Sequence, residues 1–179
     1  MTTQAIVLNG GSSAGVTSLA RALQDVLPRP WLTFGVDAFV ETLPPALTSA
    51  PDGLDVAPDG TVTVGPVFRR LEAAWRHGVA AIARTGTGVI IDDVFLGGAT
   101  GQEQWRTALD GLEVLWVGVR CAPETAAARE RARGDRVPGM AAAQAEQVHR
   151  GVRYDLTVDT GRVGIVACAT RVAAHVKPL

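Results

Sequence analysis

The sequence predicts an α/β chain of three layers, a five-stranded parallel sheet with helices on both faces. Two observations carry that expectation. Short, almost wholly apolar runs alternate with longer stretches of helical spacing, and strands covered on both faces read as unbroken apolar runs. The first of those runs also opens straight into a glycine-rich turn and an amphipathic helix. Sheets of this kind bind ligands beyond the carboxyl ends of their strands, so the residues at the strand ends are the ones to read for function.

In chain order, Ala5-Ile6-Val7-Leu8 forms the first strand, and residues 10–17, GGSSAGVT, form the turn. Leu19, Leu23, Val26 and Leu27 then fall on one helical face until Pro28 stops the helix. Further strands are predicted at 31–35, 88–92, 113–119 and around 154–158, with helical patterns at 66–85, 100–109, 122–132, 138–149 and 162–175. The stretch 44–65 is rich in Pro, Gly and Asp. It reads as a loop or small hairpin turning at Asp59-Gly60, either a cap over a substrate pocket or surface decoration. With no internal repeat, residues 1–179 read as a single domain.

Composition narrows the function classes. A net charge of −1 with no basic run argues against a nucleic-acid partner. No apolar run reaches the roughly 18 residues of a membrane span, and the N-terminus lacks the features of a signal peptide. A cytoplasmic protein is expected. Cys121 and Cys168 have no metal-ligand spacing and read as small buried hydrophobes. The alanine- and valine-rich faces at 138–149 and 162–175 suit either core packing or a homo-oligomer.

The turn is a phosphate-binding loop with one residue exchanged. The pattern G-x-x-x-x-G-K-[ST] asks for Gly10, Gly15 and Thr17 where they stand, but Val16 takes the lysine position. Glycines let successive backbone N–H groups curl around a phosphate, and the helix that follows aims its positive end at the same anion. The nucleotide-binding residues are therefore Gly10, Gly11, Ser12, Ser13, Ala14, Gly15, Val16, Thr17 and Ser18. The chain's single lysine is Lys177, close to the C-terminus. A replacement cation at the loop must be an arginine.

Three strand-end features follow. Asp37, after the second strand, reads as a general base for an attacking hydroxyl or as a helix N-cap. Asp92 and Asp93 end a buried strand, where an aspartate serves magnesium in nucleotide sites, or else they are turn carboxylates. Residues 129–138 carry four arginines around Gly134, a mobile lid over phosphates or a solvated helix end.

LNGGSSAG at 8–15, FGVD at 34–37, IIDDVFLGG at 90–98, LWVGVRC at 115–121 and ARGDRV at 132–137 carry a resemblance along essentially the whole chain. It resembles chloramphenicol phosphotransferase, a P-loop kinase related in fold to the shikimate and adenylate kinases. The resemblance implies a P-loop kinase fold and transfer of the ATP γ-phosphate to a hydroxyl of chloramphenicol, with ATP and Mg2+ as cofactors. It makes Asp37 the base, gives Thr17 and Asp92 to magnesium, and places Arg133 and Arg136 in the lid. Val36, Asp37, Phe39 and Phe95 are the expected substrate contacts, with Leu43 near them, though core packing accounts for each apolar one equally well. Val16 departs from the family's lysine. That departure leaves two alternatives open: a nucleotide or phosphate binder without transfer, and a different reaction on the same scaffold.

Overall fold

The computed structural model describes residues 2–133 and 139–178, Arg133 by its backbone only. In chain order the elements are β1 (Ala5–Asn9), α1 (Val16–Val26), β2 (Trp31–Gly35), α2 (Val36–Glu41), β3 (Leu54–Val56), β4 (Val62–Val64) and α3 (Pro66–Arg84). There follow β5 (Gly88–Asp93), α4 (Ala99–Ala108), β6 (Val114–Arg120), α5 (Pro123–Arg133), α6 (Met140–Gln147), β7 (Leu156–Asp159) and α7 (Ile165–Ala173). Five strands pair in parallel in the order β2-β5-β1-β6-β7.

β1 lies at the centre of the sheet, which explains its unbroken apolar run. Side chains alternate along a strand, so Ile6 and Leu8 pack with Leu19 and Leu23 of α1 and Val172 of α7. Ala5 and Val7 face the other way, onto Val79 and Ala83 of α3 and Trp105 of α4. Burial on both faces leaves no place for a polar side chain until the strand ends.

Two elements begin later than their sequence patterns suggest, for local reasons. The 162–175 pattern yields a helix only from Ile165, because Asp159 Oδ1 accepts the Gly161 and Arg162 N–H groups and holds a turn there. The strand expected around 154–158 begins at Leu156. Tyr154 instead lies flat over Gly118, where a Cβ would stand 2.9 Å from its ring.

β3 and β4 form an antiparallel hairpin with Leu54 opposite Val64. Its tip closes as Asp59 Oδ1 accepts the Thr61 N–H at 2.9 Å and Gly60 takes φ +84°. The tip rests on the start of α6: a Cβ on Gly60 would lie 2.5 Å from the Met140 nitrogen. Leu54 and Val64 join Phe39, Leu43, Phe68 and Trp75 in a separate apolar cluster between α2 and α3.

Candidate active site

The loop between β1 and α1 is shaped by its glycines. A Cβ on Gly10 would stand 2.7 Å from the Val119 carbonyl oxygen and 2.8 Å from Val16 Cγ2. Gly15 caps α1 in the left-handed region at φ +86°, a conformation glycine adopts without a Cβ clash. Ser13 adopts φ +59° without being glycine, a local cost that surrounding structure must hold in place. The Ser12 and Ser13 hydroxyls are buried and lack hydrogen-bond partners among the described residues. Buried hydroxyls normally have partners, so two orphans in a curled loop at a helix N-terminus fit an anion supplied from outside.

Val16 does not reach out of this loop. It is only 6% exposed and packs with Leu8 and Leu19. Lys177 cannot substitute, for it pairs with Glu113 and its carbonyl accepts the Thr3 N–H, at the end of the sheet away from the loop. Arg129 of α5 stands beside the loop. Its Nη2 donates to the Thr160 carbonyl at 2.8 Å and its Nη1 to Thr160 Oγ1 at 3.1 Å. Thr160 Oγ1 in turn donates to the Ala14 carbonyl at 2.6 Å, bracing the loop from behind.

A cleft of about 620 Å³ opens between the loop, the carboxyl ends of β2 and β5, α3 and the hairpin. Gly11, Ser12, Ser13, Gly15, Val16, Thr17 and Ser18 border it, as do Val36, Asp37, Asp92 and Phe95. Gly10 and Ala14 do not; they sit behind the loop. Phe39, expected on the substrate wall, is not there either. Its ring stacks on Trp75 at 5.3 Å and meets Phe68 edge-on at 5.4 Å, so it supports the wall from inside. Phe68 borders the cleft in its place, with Val40, Leu54, Val64 and Met140. Leu43 is buried in the same inner cluster.

Gly35 occupies the N-cap of α2, so Asp37 falls within the first turn and is exposed toward the cleft. A carboxylate there interacts favourably with the helix dipole. The two strand-end aspartates divide. Asp93 is fully buried, accepting Trp105 Nε1–H at 2.5 Å and the Val94 N–H at 2.7 Å. Burial pushes its carboxyl above the usual range against those bonds and the Arg76 charge. Both aspartates border the cleft, Asp92 beside Gly35, and Thr17 lines it as well. A hydroxyl and a carboxylate are the hard oxygen donors that magnesium takes together with waters and phosphates. Among the described residues no cluster of three or more His, Cys, Asp or Glu forms a closed metal site. Arg136 lies outside the described residues, and so does the side chain of Arg133.

Several residues of this site carry no sequence signal of their own. Arg76 of α3 is 5% exposed, lies over the Trp105 ring and pairs with Glu72, four residues before it, at 2.7 Å. Burial raises the Glu72 carboxyl, and the nearby Asp93 adds to the rise while Arg76 opposes it. Asn9, at the end of β1, donates to the Val148 carbonyl and the Tyr154 hydroxyl and accepts the Phe95 N–H, tying three strand-end loops together. Gln144 of α6 accepts the Ser12 N–H at 2.8 Å.

Known proteins share this architecture. A sugar kinase from Janibacter sp. superposes with a TM-score of 0.68 at 16% identity, over 96% of this chain and 95% of that one. The tunicamycin resistance protein of Deinococcus radiodurans gives 0.66 at 19% identity, over 99% of each chain. At those identities the likeness is one of fold, the P-loop kinase fold. A Mycobacterium tuberculosis protein named "Putative O-phosphotransferase" is 35% identical over 177 residues, covering 87% of this chain and 74% of that protein. The model of the chloramphenicol phosphotransferase-like proteins matches residues 3–177, and the chain belongs to that family.

Proposed function

We propose that the chain is an ATP-dependent O-phosphotransferase acting on a hydroxyl of chloramphenicol or a similar small antibiotic. One observation carries the reading. A carboxylate, Asp37, and a phosphate-binding loop open into the same cleft, whose lining includes the apolar side chains of Val36, Val40, Phe68 and Phe95. Phosphoryl transfer demands positioning and charge stabilisation more than covalent help from the protein. The backbone N–H groups of Ser13 and of Gly15 to Ser18 would hold the β- and γ-phosphates at the head of α1. Asp37 would accept the proton of the acceptor hydroxyl as its oxygen bonds to the γ-phosphorus and the bond to ADP breaks. Thr17 and Asp92 would hold Mg2+, which when bound neutralises phosphate charge. Val36, Val40, Phe68 and Phe95 would exclude water around the acceptor. Arg133 and Arg136 would supply lid charge, as the family resemblance implies.

A second reading has its own support. Val16 is packed into the core with no lysine near it, which suits a protein that binds nucleotide without transferring phosphate. Incubation with MgATP and chloramphenicol, read by mass spectrometry for a phosphorylated product, separates the two. Product is expected, and Asp37→Asn should slow its formation by about 10²- to 10⁴-fold, the usual contribution of a positioned base. Nucleotide binding without product from chloramphenicol or related hydroxyl antibiotics would favour the second reading.

A further inference from the structure

Helix α6 passes so close to the phosphate loop that a Cβ on Gly11 would stand 3.2 Å from the Gln144 backbone carbon and from its Cβ. Glycine at position 11 permits that approach. Gln144 is 4% exposed and borders the cleft, and its Oε1 accepts the Ser12 N–H. A carboxamide has two ends. With its oxygen held by an N–H donor, the two Nε2 hydrogens face away from Ser12. The helix that carries this side chain is itself anchored. The Glu130 carboxylate accepts the Gly139 N–H at 2.9 Å and the Ala141 N–H at 2.8 Å, and the hairpin tip abuts Met140. The loop beside it offers backbone N–H groups and two orphaned hydroxyls but no side-chain cation at position 16.

We propose that Gln144 is a phosphate ligand of this loop: its Oε1 holds the Ser12 N–H while its Nε2 donates to a phosphate oxygen of the bound nucleotide. It would thus return, as a neutral donor, part of what the missing lysine supplies as a charge. The inference rests on reading the loop as a polyphosphate site but does not depend on transfer taking place.

The test is calorimetric titration of pyrophosphate and of MgATP into the full chain and into Gln144→Glu and Gln144→Leu. Glutamate keeps the shape and an oxygen for the Ser12 N–H, removes the donor and adds a negative charge. Leucine removes both functions without adding charge. Each variant should bind both polyphosphates at least about tenfold more weakly, in line with the loss of a hydrogen bond to a charged group. The glutamate variant should keep the ligand-free melting temperature. Should it fail to fold, the leucine variant is read in the same way. Pyrophosphate affinity unchanged in the folded variants would overturn the assignment and leave Gln144 a loop support only. A native chain that binds neither polyphosphate overturns it as well. A native chain that binds both, loses binding in the variants and yields no phosphorylated product leaves the assignment standing while the transfer reading fails.

Discussion

Restoring lysine at position 16 opposes two effects whose sizes follow from the structure. Val16 is 6% exposed and packs with Leu8, Leu19 and the backbone at Gly10. Burying a valine side chain contributes about 1.5 kcal/mol, the low end for aliphatic residues. The lysine stem recovers part of that by lying along the same surface with its ammonium in the cleft. Val16→Lys should therefore destabilise the ligand-free chain by about 1 kcal/mol, a fall in melting temperature of roughly 2–4 °C. Against this, a buried charge-assisted contact to the phosphates is worth about 2–5 kcal/mol. At about 1.36 kcal/mol per decade, that speeds transfer by roughly 10¹·⁵ to 10³·⁷. The assay pairs a thermal melt with ADP release in the presence of MgATP and chloramphenicol. A variant that melts near the native temperature and binds MgATP, yet gains less than about threefold in rate, would refute the reasoning. Some other group would then already carry the lysine's charge.

Two further outcomes rest on buried ionisable groups. Arg76→Met leaves the Asp93 and Glu72 carboxylates buried without their cation. Urea denaturation near neutral pH should show a loss of about 3–5 kcal/mol, partly restored by adding Glu72→Gln; a loss below about 1 kcal/mol would show that the cluster is not held by Arg76. His149 is pushed down to about 4, chiefly by burial and then by the Arg120 charge, and its Nδ1 lies 2.6 Å from the Tyr154 hydroxyl. Its folded value lies below the unfolded value of about 6.5. Its contribution is therefore full above about pH 6.5 and is lost as pH falls toward 4. The stability difference between the native chain and His149→Gln should shrink over that window, and a difference independent of pH would exclude the assignment.

Much of the frame was legible because its signals are local. β1 announces itself by four apolar residues in a row, and the phosphate loop by the spacing of Gly10, Gly15 and Thr17. Each of these constraints acts within a few residues of its own position. The hairpin turn at Asp59-Gly60 was equally readable, since an Asx contact and a left-handed glycine are made by neighbours in sequence. Whether the hairpin borders the cleft or decorates the surface stayed open in the sequence, because its tip is placed by Met140, eighty residues on.

The candidate site shows the same division. By itself the sequence determined a parallel α/β sheet, a loop of phosphate-binding shape without its lysine, and acids at two strand ends. Only the tertiary structure showed how the neighbours Asp92 and Asp93 differ: both border the cleft, but Asp93 also accepts the Trp105 Nε1–H. It also exchanged Phe39 for Phe68 on the cleft wall, buried Arg76 against two carboxylates, and brought Gln144 to the Ser12 N–H. The reason is physical. Spacing along a chain sets which backbone shape is cheap, whereas a buried polar group must be satisfied by whichever partner the packed fold delivers, at any distance in sequence.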